Sequence, residues 1–487
     1  MNDLTQGPIL SKLLRFALPL MAANLVNQLY NVVDTIIIGY AVGDHGIAAV
    51  GLSFPIMMLF NALFMGISMG GSIVISQMFG AKNKEQLNKA ANTTVFMAFM
   101  MGLVITAIGL TFARPLLRLL NTPSEIIGDA SIYLMIIFGG TVGNLFFNLG
   151  AGILRGMGDS RWPLYSIISA TLMNVVFDLL FAVYLGWGVA GVAVATIAAQ
   201  FSSGLILLLR INSGKYGMKV TLPQVLKPDA YIAKNIVRLG MPSGLQGMAM
   251  SLGGLIMQGF GNNFGAEFVT ANAVIQRVDG FAIMPLMGLG MATTTFSGQN
   301  IGAGNAKRAQ KGVYVALGTI VSIAVVMGFV MWFAGSPIIR LFNVSDRVHD
   351  MGLRGIRWIC FFYAFMGMDH AIAGAMRGAG AAMRPVMHSF AAQICRIVLT
   401  YLLAVVPLQR AIQAAVDAGS YATYELAKAA GVGRDGFIWI YYVMSIGMVL
   451  GAALNFLYFK FGKWQNKGIV QRRGDSAAAM PVEEYDC

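Results

Sequence analysis

Leu154-Arg155-Gly156-Met157-Gly158 recurs as Met376-Arg377-Gly378-Ala379-Gly380, 222 residues further along the chain. The same offset relates Pro163 to Pro385, and Pro115, Arg118 and Asn121 to Pro337, Arg340 and Asn343. It also relates Phe79-Gly80-Ala81-Lys82-Asn83 to Ile301-Gly302-Ala303-Gly304-Asn305. Arg15 and Pro19 match Arg238 and Pro242 with one residue more. Chance supplies one such match, not a series in register. The chain is an internal duplication, and its fold must hold two similar halves.

Each half consists of apolar segments long enough to cross a bilayer. Of the 487 residues, 57% are hydrophobic and 11% charged, where a soluble domain carries roughly 25% charged residues. A large soluble core would still need a charged skin, so the deficit points to an outer surface that faces lipid. Apolar runs between polar or turn-rich stretches predict helices at 13–38, 47–78, 91–113, 128–154, 163–185, 187–211, 236–260, 266–300, 313–335, 351–376, 385–409 and 436–460. The expected class is an all-α polytopic membrane protein with twelve transmembrane helices in two pseudo-symmetric six-helix lobes. The lobes are expected at 13–211 and 236–460, after an N-terminal segment 1–12 and joined by a linker 212–235 that holds Pro223 and Pro228. Residues 410–435 read as an outer loop without a counterpart in the first half. The polar tail 461–487 reads as a disordered extension. Six spans per half is an even number, so the halves are parallel repeats, with the substrate path expected between them.

Lys and Arg set the expected orientation. They concentrate on the side of the termini, at Lys82, Lys84, Lys89, Arg155, Arg161, Lys307 and Arg308, which makes that side cytoplasmic. The net charge of +13 is spread over short loops and not gathered on a soluble module, so no nucleic-acid partner is expected. The first apolar segment is too long for a cleavable signal and reads as the first helix. Cys360, Cys395 and Cys487 have neither disulfide nor metal spacing. No Gly-x-x-x-x-Gly-Lys-[Ser/Thr] phosphate loop and no His-Glu-x-x-His occurs, which argues against ATP use and against an embedded metalloprotease. Gly66-Ile67-Ser68-Met69-Gly70 fits Gly-x-Ser-x-Gly by spacing, but it lies inside a long apolar run and not at the strand-to-helix turn that such a nucleophile needs. No cofactor is expected. Gly66 and Gly70, spaced for close helix approach, and the 32 Met residues point to tight crossings and adaptable walls.

Charge inside a span is costly and marks function. Asp34, Asp178, Asp279 and Asp369 fall inside predicted spans, and Arg396 is the clearest base among them. Asp34 and Asp178 have no acidic counterpart in the second half, where Met257 and Thr400 align with them. Each acid lies fifteen residues after a proline, Pro19 or Pro163, on outward-running helices, so both sit at a similar depth in the outer half of the membrane. Asn174 and Asp178 share a face, as do Asn27, Tyr30 and Asp34, and Thr196 reaches a comparable depth. Two carboxylates with amide and hydroxyl oxygens suit a hard monovalent cation or a shared proton. Asp279, with Arg277 close in sequence, reads equally as a functional acid and as one held in a structural ion pair or reaching water at a helix end. His370, beside Asp369, is a candidate for a proton relay, and His388 reads as structural.

With these residues the sequence resembles the multidrug and toxic compound extrusion (MATE) family. Val33-Asp34-Thr35-Ile36, the two Arg-Gly-x-Gly turns at Arg155 and Arg377, and two six-helix lobes carry the resemblance over residues 10–462. Within the family it is similar to the branch typified by DNA-damage-inducible protein F. That likeness implies a coupling-cation site in the N-terminal lobe at Asp34, Asn174, Asp178 and Thr196. It implies a bend at Pro19, and a cavity lined by Tyr30, Tyr133 and Asn148. The implied function is export of organic, often cationic compounds in exchange for Na⁺ or H⁺ by alternating access, across a prokaryotic cytoplasmic membrane, with a single chain as the functional unit. A flippase for lipid-linked oligosaccharides would favour a more basic cavity. An enzyme would need a nucleophile and base that the sequence lacks, and a channel would place its pore on a symmetry axis.

Overall fold

The computed structural model describes residues 3–119 and 122–470, and the described residues form helices and no strand. The first half holds α1 (Ile9–Val42), α2 (Asp44–Gly80), α3 (Lys84–Leu119), α4 (Ile127–Gly139), α5 (Thr141–Gly156), α6 (Arg161–Asp178) and α7 (Gly188–Ile211). A short α8 (Leu222–Val225) interrupts the linker. The second half holds α9 (Ala230–Asn262), α10 (Ala266–Gly302), α11 (Ala306–Arg340), α12 (Asp346–Ile359), α13 (Tyr363–Gly378), α14 (Met383–Thr400), α15 (Val406–Asp417), α16 (Tyr424–Ala429) and α17 (Ile438–Phe461). Taken as spans, α4 with α5, α12 with α13, and α14 with α15 each make one crossing, which gives the twelve of the expected class.

Composition explains why two spans are inconspicuous. Among the described residues nine helices are long and apolar enough to cross a membrane, or ten with α4 and α5 as a bent pair, and α9 and α10 are not among them. α9 carries Lys234, Arg238, Gln246 and Gln258. In α10 the run Thr293-Thr294-Thr295-Phe296-Ser297-Gly298-Gln299-Asn300 is buried throughout. A helix packed on other helices needs small and hydrogen-bonding side chains more than apolar ones.

The Arg-Gly-x-Gly turn has a separate reason for each glycine. The first approaches a neighbouring backbone: a Cβ on Gly378 would lie 2.1 Å from the Thr294 carbonyl, and one on Gly156 2.8 Å from that of Ser72. The second takes the left-handed conformation that ends α5 and α13, with φ of 79° at Gly158 and 95° at Gly380. The Phe-Gly-Ala-Lys-Asn repeat behaves similarly. Lys82 adopts φ of 55° where its counterpart Gly304 has 72°.

The two halves meet at the end that carries the basic loops, with backbone against backbone. Gly66 and Gly70 of α2 cross Gly240 and Gly244 of α9. A Cβ on Gly80 would fall 1.9 Å from the Gln299 carbonyl, and one on Gly302 2.0 Å from that of Gln77. The two glutamines are repeat counterparts and bond as such. Gln77 Nε2 donates to the Gly378 carbonyl at 2.7 Å, and Gln299 Nε2 donates to the Gly156 carbonyl at 2.9 Å. Each also accepts from a segment outside the membrane helices: Gln77 Oε1 from the Ile469 amide at 2.7 Å, and Gln299 Oε1 from the Leu4 amide at 3.1 Å. The cores cross over here too. Leu4, Leu13, Phe16 and Leu20 pack into the apolar cluster of the second half, and Ile232, Ile236 and Leu239 into that of the first.

Several expectations need correction. The span predicted at 128–154 is broken, with α4 and α5 bent by 48° at Gly139-Gly140, where the Ile197 side chain of α7 fills the space a Cβ would take on Gly140. Residues 410–435 are not a plain loop: they hold the end of α15 and all of α16. The tail is not disordered from 461. Trp464 is buried and stacks on Phe459 at 5.3 Å, and Ile469 enters the glutamine contact. Asn121 and residues 471–487 lie outside the described residues.

Gly302→Ala should therefore separate α10 from α2 and cost about 1–3 kcal/mol. The check is a lower melting temperature in detergent, together with faster thiol labelling of a cysteine placed at Ser297. Gly128→Ala, where a Cβ meets nothing within 4 Å, is the control. An unchanged melting temperature and labelling rate for Gly302→Ala would contradict the closure described here.

Candidate functional site

The acid pair is assembled from the C-terminal halves of α1 and α6. Asp34 sits fifteen residues beyond Pro19, within an uninterrupted α1. Asp178 is the last residue of α6, and a π-helical turn, Leu179–Tyr184, follows at once. Such turns insert a residue and re-aim side chains, and are frequent at functional sites. The second half has the same device in register, with a π-helical turn Tyr401–Val405 after Thr400. Gly191 of α7 lies against the backbone of the first turn at Phe181 and Ala182, where a Cβ would fall 2.7–2.8 Å away.

The Asp34 and Asp178 carboxyls lie within hydrogen-bonding reach of each other. Asp34 Oδ1, both Asp178 carboxylate oxygens and Asn174 Oδ1 are buried and receive no bond from a fixed donor, and the buried Asn174 Nδ2 donates none. The bond between the two acids forms only when one of them is protonated. None of the ion pairs among the described residues involves either acid. Asn174 and Asp178 are wholly buried, and Thr196 nearly so. Tyr30 Oη donates to Thr196 Oγ1 at 3.5 Å and, with Tyr133, lies within electrostatic range of both acids. Ile38, Tyr133, Ala182, Val189, Val192 and Ala193 form a separate apolar cluster about one turn beyond the acids.

This arrangement has a clear electrostatic consequence. Two like charges about 4 Å apart repel by about 4 kcal/mol at an effective dielectric of about 20. Without an Arg or Lys to offset them, the pair is satisfied by a proton shared between the carboxyls or by a bound cation. Unpartnered carboxylate oxygens, the Asn174 amide oxygen and the Thr196 hydroxyl form a hard oxygen set suited to Na⁺. Among the described residues no group of three or more His, Cys, Asp or Glu could hold a metal ion.

The other expected residues fall elsewhere. Asn27 is exposed, on the same helix as the pair. Asn148 of α5 donates to the Asn144 carbonyl at 3.0 Å and its side-chain oxygen at 2.5 Å, while Ser68 donates to its carbonyl, so it belongs to the inner part of the lobe. Asp279 is no surface acid paired with Arg277. It is buried and accepts a short hydrogen bond from Tyr363 Oη. Asp369 Oδ1 accepts from Asn455 Nδ2 at 2.5 Å, and Asn455 Oδ1 bonds His388 Nδ1 at 2.8 Å. His388 thus extends from Asp369 through Asn455. His370, expected in that role, bonds the Met366 carbonyl of its own helix at 3.0 Å. Arg396 bonds Gln393 and leaves Nε unpartnered. Tyr363, Asn455 and His388 are the partners that sequence spacing missed, because each comes from a helix remote in the chain.

The chain is similar to known proteins along almost its whole length. The MatE family model matches residues 19–180 and 242–402. "Probable multidrug resistance protein YpnP" of Bacillus subtilis is 28% identical over 95% of this chain and 97% of its own. "Probable multidrug resistance protein NorM" of Thermotoga maritima is 26% identical over 95% of each. A solved outward-facing structure of a multidrug resistance MATE family transporter superposes with a TM-score of 0.81, at 23% identity, over 94% of this chain and 97% of its own.

Asp178→Asn replaces one like charge by an amide that can donate to Asp34. The variant should be about 1–3 kcal/mol more stable than the parent at alkaline pH and low salt. This would appear as a melting temperature in detergent raised by a few degrees, with the gain shrinking as the solution is acidified. A melting temperature below the parent's under alkaline conditions would mean that the carboxyls do not confront each other.

Proposed function

Since the chain belongs to the MatE family, whose members export compounds across membranes and are not enzymes, we propose that it is a cation-coupled antiporter whose coupling site is Asp34, Asn174, Asp178 and Thr196. The observation that carries this reading is the pair of buried carboxylates without a fixed counter-charge. In the absence of cation or proton the pair repels. When Na⁺ or H⁺ enters from outside, the repulsion is removed and α1 and α6 can draw together. Pro19, which removes one backbone hydrogen bond inside α1, gives that helix a place to bend. The binding energy of the ion then favours the state that releases substrate outward, and export follows the ion gradient. The resemblance to the branch typified by DNA-damage-inducible protein F implies the same assignment.

The exported compounds are organic and amphiphilic, with cations preferred, because the acid pair lies beside the aromatic rings of Tyr30 and Tyr133. The cytoplasmic membrane of a prokaryote is the proposed location, with both termini and the basic loops inside and a single chain as the working unit. Closure at the basic end, where α2, α9 and α10 cross, supports an outward-facing state as one limb of alternating access.

Two measurements test the reading. In proteoliposomes with separately imposed Na⁺ and H⁺ gradients, Asp34→Asn should reduce coupled export to the background rate at normal expression, and Asp178→Asn should do likewise. Asp279→Asn should retain more than either. Normal transport by Asp34→Asn alongside loss in Asp369→Asn would move the site to the second half. For orientation, cysteines introduced at Gly304 and Gly186 should be labelled by an impermeant thiol reagent from opposite sides, with Gly186→Cys reacting from outside. Labelling of both from outside would reject the topology.

A further inference from the structure

Away from the acid pair, at the basic end of the same two helices, lies a cavity of about 330 Å³ lined by Arg15 of α1, Arg161, Trp162 and Tyr165 of α6, and Lys215 of the loop after α7. Arg15, Arg161 and Lys215 are exposed, and none takes part in an ion pair among the described residues. The acid in the cavity wall makes no ion pair with them, and their three charges exceed its one. Asp159 Oδ1 accepts from the backbone amides of Arg161 and Trp162 at 3.2 and 3.4 Å, and Oδ2 accepts from Tyr216 Oη at 2.8 Å. Burial, reinforced by Asp159, pushes the Tyr216 phenol up to about 12, so it stays a neutral donor. Arg210 adds a fourth cation: its guanidinium stacks 4.5 Å above the Trp162 ring, and its Nε donates to Tyr216 Oη at 3.2 Å.

The surroundings are those of a headgroup layer. Trp162 and Tyr165 pack edge-to-face at 5.9 Å, and Tyr165 is half exposed. Aromatic rings of this kind prefer the interface between water and hydrocarbon. Exposed leucines continue from the cavity along both helices, Leu18 and Leu25 on α1 and Leu172 on α6. The repeat supplies an internal control. Asp159, Arg161, Trp162 and Tyr165 correspond to Ala381, Met383, Arg384 and Met387. The shared turn therefore does not require these residues, which stand together in the half that holds the acid pair.

We propose that this cavity binds the phosphate headgroup of an anionic phospholipid, with the acyl chains lying on the leucine rows of α1 and α6. Arg15, Arg161 and Lys215 contact the phosphate, and Trp162 and Tyr165 cover the glycerol. Basic pockets between membrane helices on the cytoplasmic side suit such headgroups. One lipid bound in this way ties α1 to α6 at the end opposite Asp34 and Asp178, so the lipid composition of that leaflet acts on the helix pair that carries the site.

Binding can be read without any transport assay, so it stands or falls apart from the coupling mechanism. The purified full chain is titrated in detergent with phosphatidylglycerol or phosphatidylcholine of identical acyl chains, and adducts are counted by native mass spectrometry. The parent should retain phosphatidylglycerol at least five-fold over phosphatidylcholine. Combined Arg15→Gln, Arg161→Gln and Lys215→Gln should bring the two lipids to within two-fold. Combined Lys84→Gln, Lys307→Gln and Lys311→Gln, which removes equal charge from the same side, should preserve the preference. If the triple cavity variant is not monodisperse, Arg161→Gln alone should lower the preference at least two-fold. Equal retention of both lipids by the parent, an undiminished preference in the cavity variants, or an equal fall in the control variant would overturn the proposal. Displacement of phosphatidylglycerol by millimolar inorganic phosphate would reassign the cavity to free phosphate and overturn the lipid assignment.

Discussion

At the basic end of the molecule, helices from the two halves touch through their backbones. Hydrocarbon offers no hydrophobic drive to bring one apolar helix against another, so close approach, dispersion and hydrogen bonds must supply the attraction. Glycine at positions 66, 70, 80, 240, 244 and 302 permits the approach. Gln77 and Gln299 convert it into a reciprocal bond pattern between halves. The rest of the architecture hangs on this crossing. It joins the halves at one end, recruits the segments around Leu4 and Ile469 as further partners, and leaves the acid pair at the other end of α1 and α6.

The duplication then becomes informative through its failures. Where the two halves agree, the residues serve the scaffold: the Arg-Gly-x-Gly turns, the glutamines, and the π-helical turns after positions 178 and 400. Where they differ, the chemistry differs. Asp34 and Asp178 stand opposite Met257 and Thr400, and the cavity around Arg161 stands opposite Ala381 and Met383. The second half has its own polar groups, but they are arranged otherwise. Asp369 is engaged by Asn455, and Asp279 by Tyr363, so these acids already hold donors that the first-half pair lacks. Unpartnered charge, more than charge as such, separates the coupling candidate from the structural acids.

The family relationship and the physical reading meet at this point. Export of compounds follows from membership in the family. The proposed coupling assignment rests on electrostatics, since a carboxylate pair without a counter-ion in a low-dielectric interior favours uptake of a proton or a hard cation. The lipid cavity extends the same logic to the headgroup layer, where uncompensated cations sit beside interfacial aromatics.

Composition and periodicity by themselves determined the membrane class, the twelve crossings, the duplication and the two first-half acids. These are local properties: an apolar run, a repeated motif or a charge inside a span can be read without knowing what it touches. Tertiary structure alone decided that Asp34 faces Asp178, that Asp279 is held by Tyr363, and that His388 rather than His370 connects to Asp369. It also decided that the tail returns to Gln77, and that the fourth crossing breaks at Gly139-Gly140. Each of these depends on which distant helix lies alongside. That is fixed by packing at the glycine crossings, and no spacing along a single helix records it.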